Sequence, residues 1–546
     1  MMFNGKIQIL LGYHAYYGEN ADDFVIETAI SQIPREMIFN FIYVLCNKYN
    51  NKTLDKIDLL DFQEFYNKGY YNPQTEYIFC TEKTCLEIMR HSFSQPLIKT
   101  FSLSKENIEE LLVNLVLTVN EKITWNKVDR KSSIQEIIFI YHILNPIINI
   151  SDEQEINSRV IYQLKMSMCF FEMLTSDEHY ANIYNSFLNT HNVDSWRKYI
   201  LTILGVVLCS KYKVGCIDNN NLNDENELIT RSVLDSISLS YSVLIKYSSE
   251  NKDDRHCNDD YRVFREKPII LKENGDYFIH NIEFLTDRLY NSLYFEFKSL
   301  KQEKDEKIDI NNLFTSIFCE KTMFDKYMGC CVSDEFKAMT ESICKEAYLP
   351  NQNEPGPPDY LIYNESSLFL FECKDIRING NEIETHNYDR IINEYKNKLY
   401  KKENDKSVGI TQLTGQIKLI REGRFKWIDN INQSIPIYPV LVLSDYKNVV
   451  RGFNNIANEW YKTSLSELNI IHSENQPLIV MSLITLFKYH SLFQKKGFKP
   501  YFEEYFKLTQ TSNDVIIRNI TFDDFMSSYP YELEELRDVI LKLKKS

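Results

Sequence analysis

Across residues 368–373 the chain reads Leu-Phe-Leu-Phe-Glu-Cys. In a strand, successive side chains point to opposite faces. Here both sets are apolar until Glu372, so neither face of such a strand can be left to water. A strand of this kind is buried on both sides, as in α/β proteins. Just before it, 360–363 (Tyr-Leu-Ile-Tyr) forms a second strand-like run, and 364–367 (Asn-Glu-Ser-Ser) has the composition of a turn. Pro357 and Pro358 end whatever precedes. The segment therefore predicts a buried hairpin with polar residues gathered at its open end.

Centring that hairpin between Glu365 and Ser366 sets Asp359 opposite Glu372. Opposed side chains of an antiparallel pair lie about 5 Å apart at Cβ. Two carboxylates that close repel unless a cation stands between them or one keeps its proton. Lys374, two residues beyond Glu372, projects from the same face, and Cys373 points the other way. The backbone carbonyl of Cys373 remains within reach of a bound ion. Two carboxylates, a carbonyl and an ammonium are the parts of a metal-dependent phosphodiesterase, and hard oxygen ligands suit Mg²⁺ or Mn²⁺. A slip of one residue in register would separate them.

Asp359 followed by Glu372-Cys373-Lys374 resembles the signature of the PD-(D/E)XK nuclease superfamily. The resemblance implies a restriction-endonuclease-like α/β core with the order αβββαβ and a mixed sheet. It implies that Asp359, Glu372 and the Cys373 carbonyl are metal ligands. Lys374 would orient or activate water and stabilise charge developing on the phosphate. A Glu on the first core helix is implied as well. Glu320, within the helical run 313–328, is the choice, with Glu335, Glu341 and Glu346 as competitors. Some exonuclease-like members carry a Gln followed four residues later by Tyr. Here Gln412 is followed by Gln416, one turn apart on one helical face, and both are auxiliary candidates for the metal-bound water or the nucleic-acid backbone. The flanking pattern fits: a helix over 408–422, a buried strand over 435–443 and a helix-rich tail over 482–506. The resemblance covers about 311–489 and leaves the first 300 residues outside it.

Hydrophobic residues at 44% and charged residues at 25% of the 546 exclude wholesale disorder. Three segments are expected. Residues 1–250 carry apolar residues at helical spacing, for example over 37–45, 108–119, 134–144, 197–208 and 228–248. Residues 251–306 read as a small connector, with a hairpin around Glu273-Asn274-Gly275-Asp276 and a helix over 282–298. Residues 307–546 form the nuclease-like domain, after a charged linker at 301–307. The net charge of −15 first argues against a nucleic-acid partner. However, residues 307–546 hold 30 Lys+Arg and 33 Asp+Glu, so most of the acidity lies N-terminal to the motif. Residues 389–429 carry 10 basic and 6 acidic side chains, which is compatible with phosphate contact.

The 12 cysteines include no CxxC pair, which argues for reduced thiols rather than a zinc site. No signal-peptide pattern opens the chain, and no apolar run approaches the roughly 20 residues of a membrane span. The expectation is a cytoplasmic, metal-dependent nuclease, most simply one acting on DNA. A homodimer or a partner protein of a bacterial defence or restriction system, without a membrane, completes that expectation by analogy. The competing reading is a catalytically silent nuclease-fold module that binds or assembles.

Overall fold

A computed structural model describes residues 7–18, 24–49, 75–93, 104–124, 133–144, 153–210, 214–218, 230–240, 261–300, 308–350, 355–384, 387–402 and 406–545. The chain divides into two compact units. One comprises Met1–Lys127, Ile147–Lys304 and Ile540–Ser546; the other comprises Val128–Pro146 and Asp305–Val539. Among the described residues the fold is mainly helical, with two mixed sheets and a parallel strand pair.

The first unit contains a parallel pair, β1 (Ile7–Leu10) with β2 (Thr75–Ile78). It also contains a four-stranded sheet of β3 (Gly215–Ile217), β4 (Ser238–Ser240), β5 (Ile269–Leu271) and β6 (Tyr277–Ile279), in the order β3-β6-β5-β4. The hairpin around Gly275 forms β5 and β6, with Gly275 at φ +88° supplying the turn. The segment after 250 is not a separate connector. β5 and β6 pair with β4 and β3, and Phe264, Ile270, Phe278 and Phe284 share one core with Ile38, Phe39 and Val116. Two helical expectations change as well. The region 228–248 holds a short helix, Arg231–Ser236, and then β4, while 241–250 lies outside the described residues. The helix expected over 282–298 is broken into Ile282–Asp287 and Leu293–Ser299, with the Asp287 carbonyl accepting from Tyr290 and Ser292 N–H groups at the turn. The charged run 301–307 lies outside the described residues.

In the second unit the first described helix, α1 (Ile134–Leu144), buries Phe139, Ile140 and Ile143 in the core around the hairpin strands. Its ring of Phe139 lies 5.4 Å from Tyr395 and 5.7 Å from Phe453. This helix therefore belongs with the C-terminal sheet, although more than 150 residues of chain separate them.

Next comes α2, a continuous helix of Leu313–Phe324 and Asp325–Cys331. Its first part is a π-helix, not the α-helix that amphipathic spacing suggests. The buried pairs Leu313/Phe314, Phe318/Cys319 and Met323/Phe324 recur every five residues. In an α-helix a five-residue step turns about 140° off the starting face. The wider turn, with i to i+5 bonds, keeps all three pairs toward the core. The Thr322 hydroxyl follows the same spacing and donates to the Ile317 carbonyl at 2.8 Å.

The sheet that follows has five strands: β7 (Lys337–Thr340), β8 (Tyr360–Tyr363), β9 (Leu368–Lys374), β10 (Ile437–Leu443) and β11 (Ile479–Ser482). Their order is β11-β10-β9-β8-β7. The pairs β7/β8 and β8/β9 are antiparallel, whereas β9/β10 and β10/β11 are parallel. Thus β9 is the middle strand, which is why its side chains are apolar on both faces. The helices α3 (Tyr388–Leu399), α4 (Ile410–Arg421) and α5 (Phe453–Glu467) contribute to one shared core with β9 and β10. Two further helices, α6 (Leu483–Lys496) and α7 (Lys499–Thr511), occupy the tail, where β11 precedes the helices expected there.

Candidate active site

The turn between β8 and β9 fixes the register. Asn364 Oδ1 accepts from the backbone N–H groups of Ser366 and Ser367, at 2.9 and 3.0 Å, an Asx-type closure. Tyr363 then pairs with Leu368 and Tyr360 with Phe371. One further step along the same register sets Asp359 level with Glu372. Asp359 is held from two sides: its carbonyl accepts from Glu341 N–H at 2.9 Å, and its Oδ2 accepts from Cys373 N–H at 2.8 Å. Glu372 sits between β8 and β10, opposite Leu441, and is wholly buried.

Lys374 closes the group. Its Nζ donates to Glu372 Oε1 at 2.8 Å, to the Cys373 carbonyl at 3.0 Å and to Asp359 Oδ2 at 3.5 Å. It also lies 3.9 Å from Glu320 Oε1. The π-helical part of α2 packs on β9 and carries Glu320 to the cluster. The competitors differ. Glu341 pairs with Lys345 and donates its backbone N–H to the Asp359 carbonyl. Among the described residues, Glu335 and Glu346 make no ion pair with Lys374. The thiol of Cys373 points away into the core, where it meets Cys319.

Three carboxylates around one ammonium leave an excess of negative charge in a poorly solvated place. Burial pushes the Glu320 carboxyl up to about 7, with Asp359 and Asp375 adding to the effect and Lys374 opposing it. Glu372 is pushed up to about 8, first by burial and then by Asp359, against the pull of Lys374. The Lys374 ammonium is itself stabilised well above its ordinary value, because Asp359, Glu372 and Glu320 outweigh its burial. The consistent state is a charged Lys374 with a proton retained among the glutamates.

Two neighbours escape the sequence pattern. Asp325, five residues beyond Glu320 on α2, is raised to about 6 by burial, with Asp359 and Glu341 adding to it. Asp375 accepts from Arg377 at 2.6 Å and from the Ser444 hydroxyl at 2.5 Å. The five-residue spacing of the buried pairs on α2 is the signal that could have found Asp325.

Among the described residues, no three or more His, Cys, Asp or Glu side chains are grouped as a ready metal centre. The carboxylates converge instead on the Lys374 ammonium. The donor set still fits a hard divalent cation. Asp359, Glu372 and the Cys373 carbonyl are all oxygen donors within reach of one point, occupied by Nζ. Moreover, Glu372 Oε2 is buried and, among the described residues, has no hydrogen-bond partner. Buried polar atoms rarely stay unsatisfied, so this oxygen is suited to a ligand.

Among the described residues, neither glutamine is hydrogen-bonded to Asp359, Glu372, Lys374 or Glu320. Gln412 Oε1 accepts from Gly409 N–H at 2.7 Å and caps the start of α4. Gln416 is buried and donates to the Gly356 carbonyl at 3.3 Å, on the segment leading to Asp359, and among the described residues its Oε1 has no partner. Their contacts are thus with the helix start and with the approach to β8.

Among the described residues no helix is long and apolar enough to cross a membrane. Compared with family models, with curated proteins and with solved structures, the chain matches none.

Proposed function

We propose that the chain is a divalent-metal-dependent nuclease that hydrolyses phosphodiester bonds, most simply in DNA. One observation carries the reading: Asp359, Glu372, the Cys373 carbonyl and Lys374 meet at the ends of two paired central strands. The element order supports it too. A helix, then β7, β8 and β9, then α4, then β10 follow one another as in the αβββαβ order that the resemblance to PD-(D/E)XK nucleases implies, with the helix Glu341–Ala347 added between β7 and β8, and Gly380–Glu384 and α3 added between β9 and α4.

In this reading Asp359 and Glu372, with the Cys373 carbonyl, hold Mg²⁺ or Mn²⁺, and Glu320 contributes from α2. The bound cation would lower the pKa of a water and neutralise charge on the phosphate. Lys374 supplies a fixed positive charge beside the reacting phosphate and orients the attacking water. The Cys373 N–H holds Oδ2 of Asp359 at the end of β9, within 3.5 Å of the point where Lys374 Nζ sits. The biological setting proposed is a cytoplasmic effector of bacterial defence or restriction, acting as a homodimer or with a partner protein.

A cleavage assay with Mg²⁺ or Mn²⁺ on linear, circular and single-stranded DNA, and on RNA, tests the reading. Cleavage that disappears in Asp359→Ala and in Lys374→Ala, with both variants folded, supports it. Equal cleavage in both variants removes the site. No cleavage of any substrate by the wild-type chain favours the silent binding module.

A further inference from the structure

We infer that Lys374 competes with the divalent cation for a single set of oxygens, so that metal entry requires its ammonium to move. This inference rests on the nuclease reading of the site. Nζ contacts Glu372 Oε1, the Cys373 carbonyl and Asp359 Oδ2 at 2.8, 3.0 and 3.5 Å, and stands 3.9 Å from Glu320 Oε1. These are the same atoms that would ligate the cation. An ammonium and a divalent ion cannot share that point, since two positive charges a few ångströms apart in a buried site repel strongly.

The geometry allows the exchange. The Lys374 side chain is 17% exposed, whereas Glu372 is 0% exposed. Glu372 and the Cys373 carbonyl are fixed by the central strand, and Asp359 by two backbone N–H bonds. The lysine is a long, flexible side chain at the last position of β9. The oxygens therefore stay and the ammonium swings. A displaced Lys374 still lies next to the cation, which is where a catalytic ammonium would meet the phosphate. The same side chain thus closes the acidic cluster in one state and serves the reaction in the other.

The competition makes an unusual demand: removing a catalytic residue should improve metal binding. Direct Mn²⁺ binding to the full chain, by calorimetry and by thermal shift, tests it in Lys374→Met and in the polar variant Lys374→Gln. Glu372→Gln is the control, and metal-free circular dichroism shows which variants fold. The expected result is Mn²⁺ affinity about ten-fold or more higher in the folded Lys374 variants, with weakened binding in Glu372→Gln. Unchanged or weaker binding in both Lys374 variants, with binding lost in Glu372→Gln, overturns the competition and leaves the metal site standing. Undetectable Mn²⁺ binding by every protein, wild type included, overturns the competition and the metal-dependent reading together.

Discussion

The backbone N–H of Cys373 donates to Asp359 Oδ2 at 2.8 Å, which joins the end of β9 to the residue that opens β8. The bond turns a strand register into a site. Glu372 and Lys374, on either side of Cys373, face the same carboxylate that its N–H holds. Asp359→Asn keeps an acceptor for that N–H but removes the charge. It should retain the fold, with a melting temperature close to wild type, and lose cleavage by about 100-fold or more. Cleavage rates and melting curves on the same preparation separate these outcomes.

The metal-free protein should lose stability as pH rises through neutrality. Glu320 and Glu372 hold their protons above their ordinary value of 4.5, to about 7 and about 8. Groups with raised pKa contribute stability that is complete below the unfolded value. That stability is lost as pH climbs through the folded value. Urea denaturation in EDTA should therefore show a decline from about pH 4.5 to about pH 8, flattened in Glu372→Gln. A pH-independent wild type would contradict this.

Metal binding should run the other way. Carboxylates ligate only when ionised, so cation binding releases protons and strengthens with pH. The rise in melting temperature given by Mn²⁺ should be larger at pH 8 than at pH 6. Proton release, measured by calorimetry in buffers of different ionisation enthalpy, should accompany it.

Phe318→Ala should cost about 3–5 kcal/mol. Its ring is fully buried in the middle pair of the five-residue pattern on α2, two residues from Glu320. Denaturant midpoints measure the loss, and a cost below about 1 kcal/mol would argue against that packing.

Gly409 starts α4 at φ +47°, where an added Cβ would lie 2.6 Å from the Leu399 carbonyl oxygen. Side-chain-bearing residues rarely adopt this backbone, and the obstructing atom is main chain. Gly409→Ala should destabilise the protein by more than about 1 kcal/mol. It should also disturb the bond from Gly409 N–H to Gln412 that caps the helix.

Much of the site was legible in the sequence because it depends on local pattern. The alternation of 360–363, the polar turn at 364–367 and the doubly apolar run at 368–373 dictate a hairpin, and a hairpin of that length dictates which residues face one another. Asp359, Glu372 and Lys374 followed from it. The edge strands did not. β7 is a four-residue strand, Lys-Ala-Met-Thr, and β11 is equally short, so neither carries enough period to distinguish it from a loop or a helix start. The π-turn of α2 was written in the spacing of its buried pairs, but that spacing imitates an irregular α-helix until a core shows which face is inside.

By itself, then, the order of side chains determined the hairpin, its register and the three residues that meet at its end, since each depends on steps of two along a strand. Tertiary structure alone decided that α1 packs with the C-terminal sheet, that β5 and β6 complete a sheet with β3 and β4, and that Glu320 rather than its competitors reaches Lys374. Those are contacts between residues far apart in the chain. They are chosen by how whole faces pack against one another, which no local spacing records.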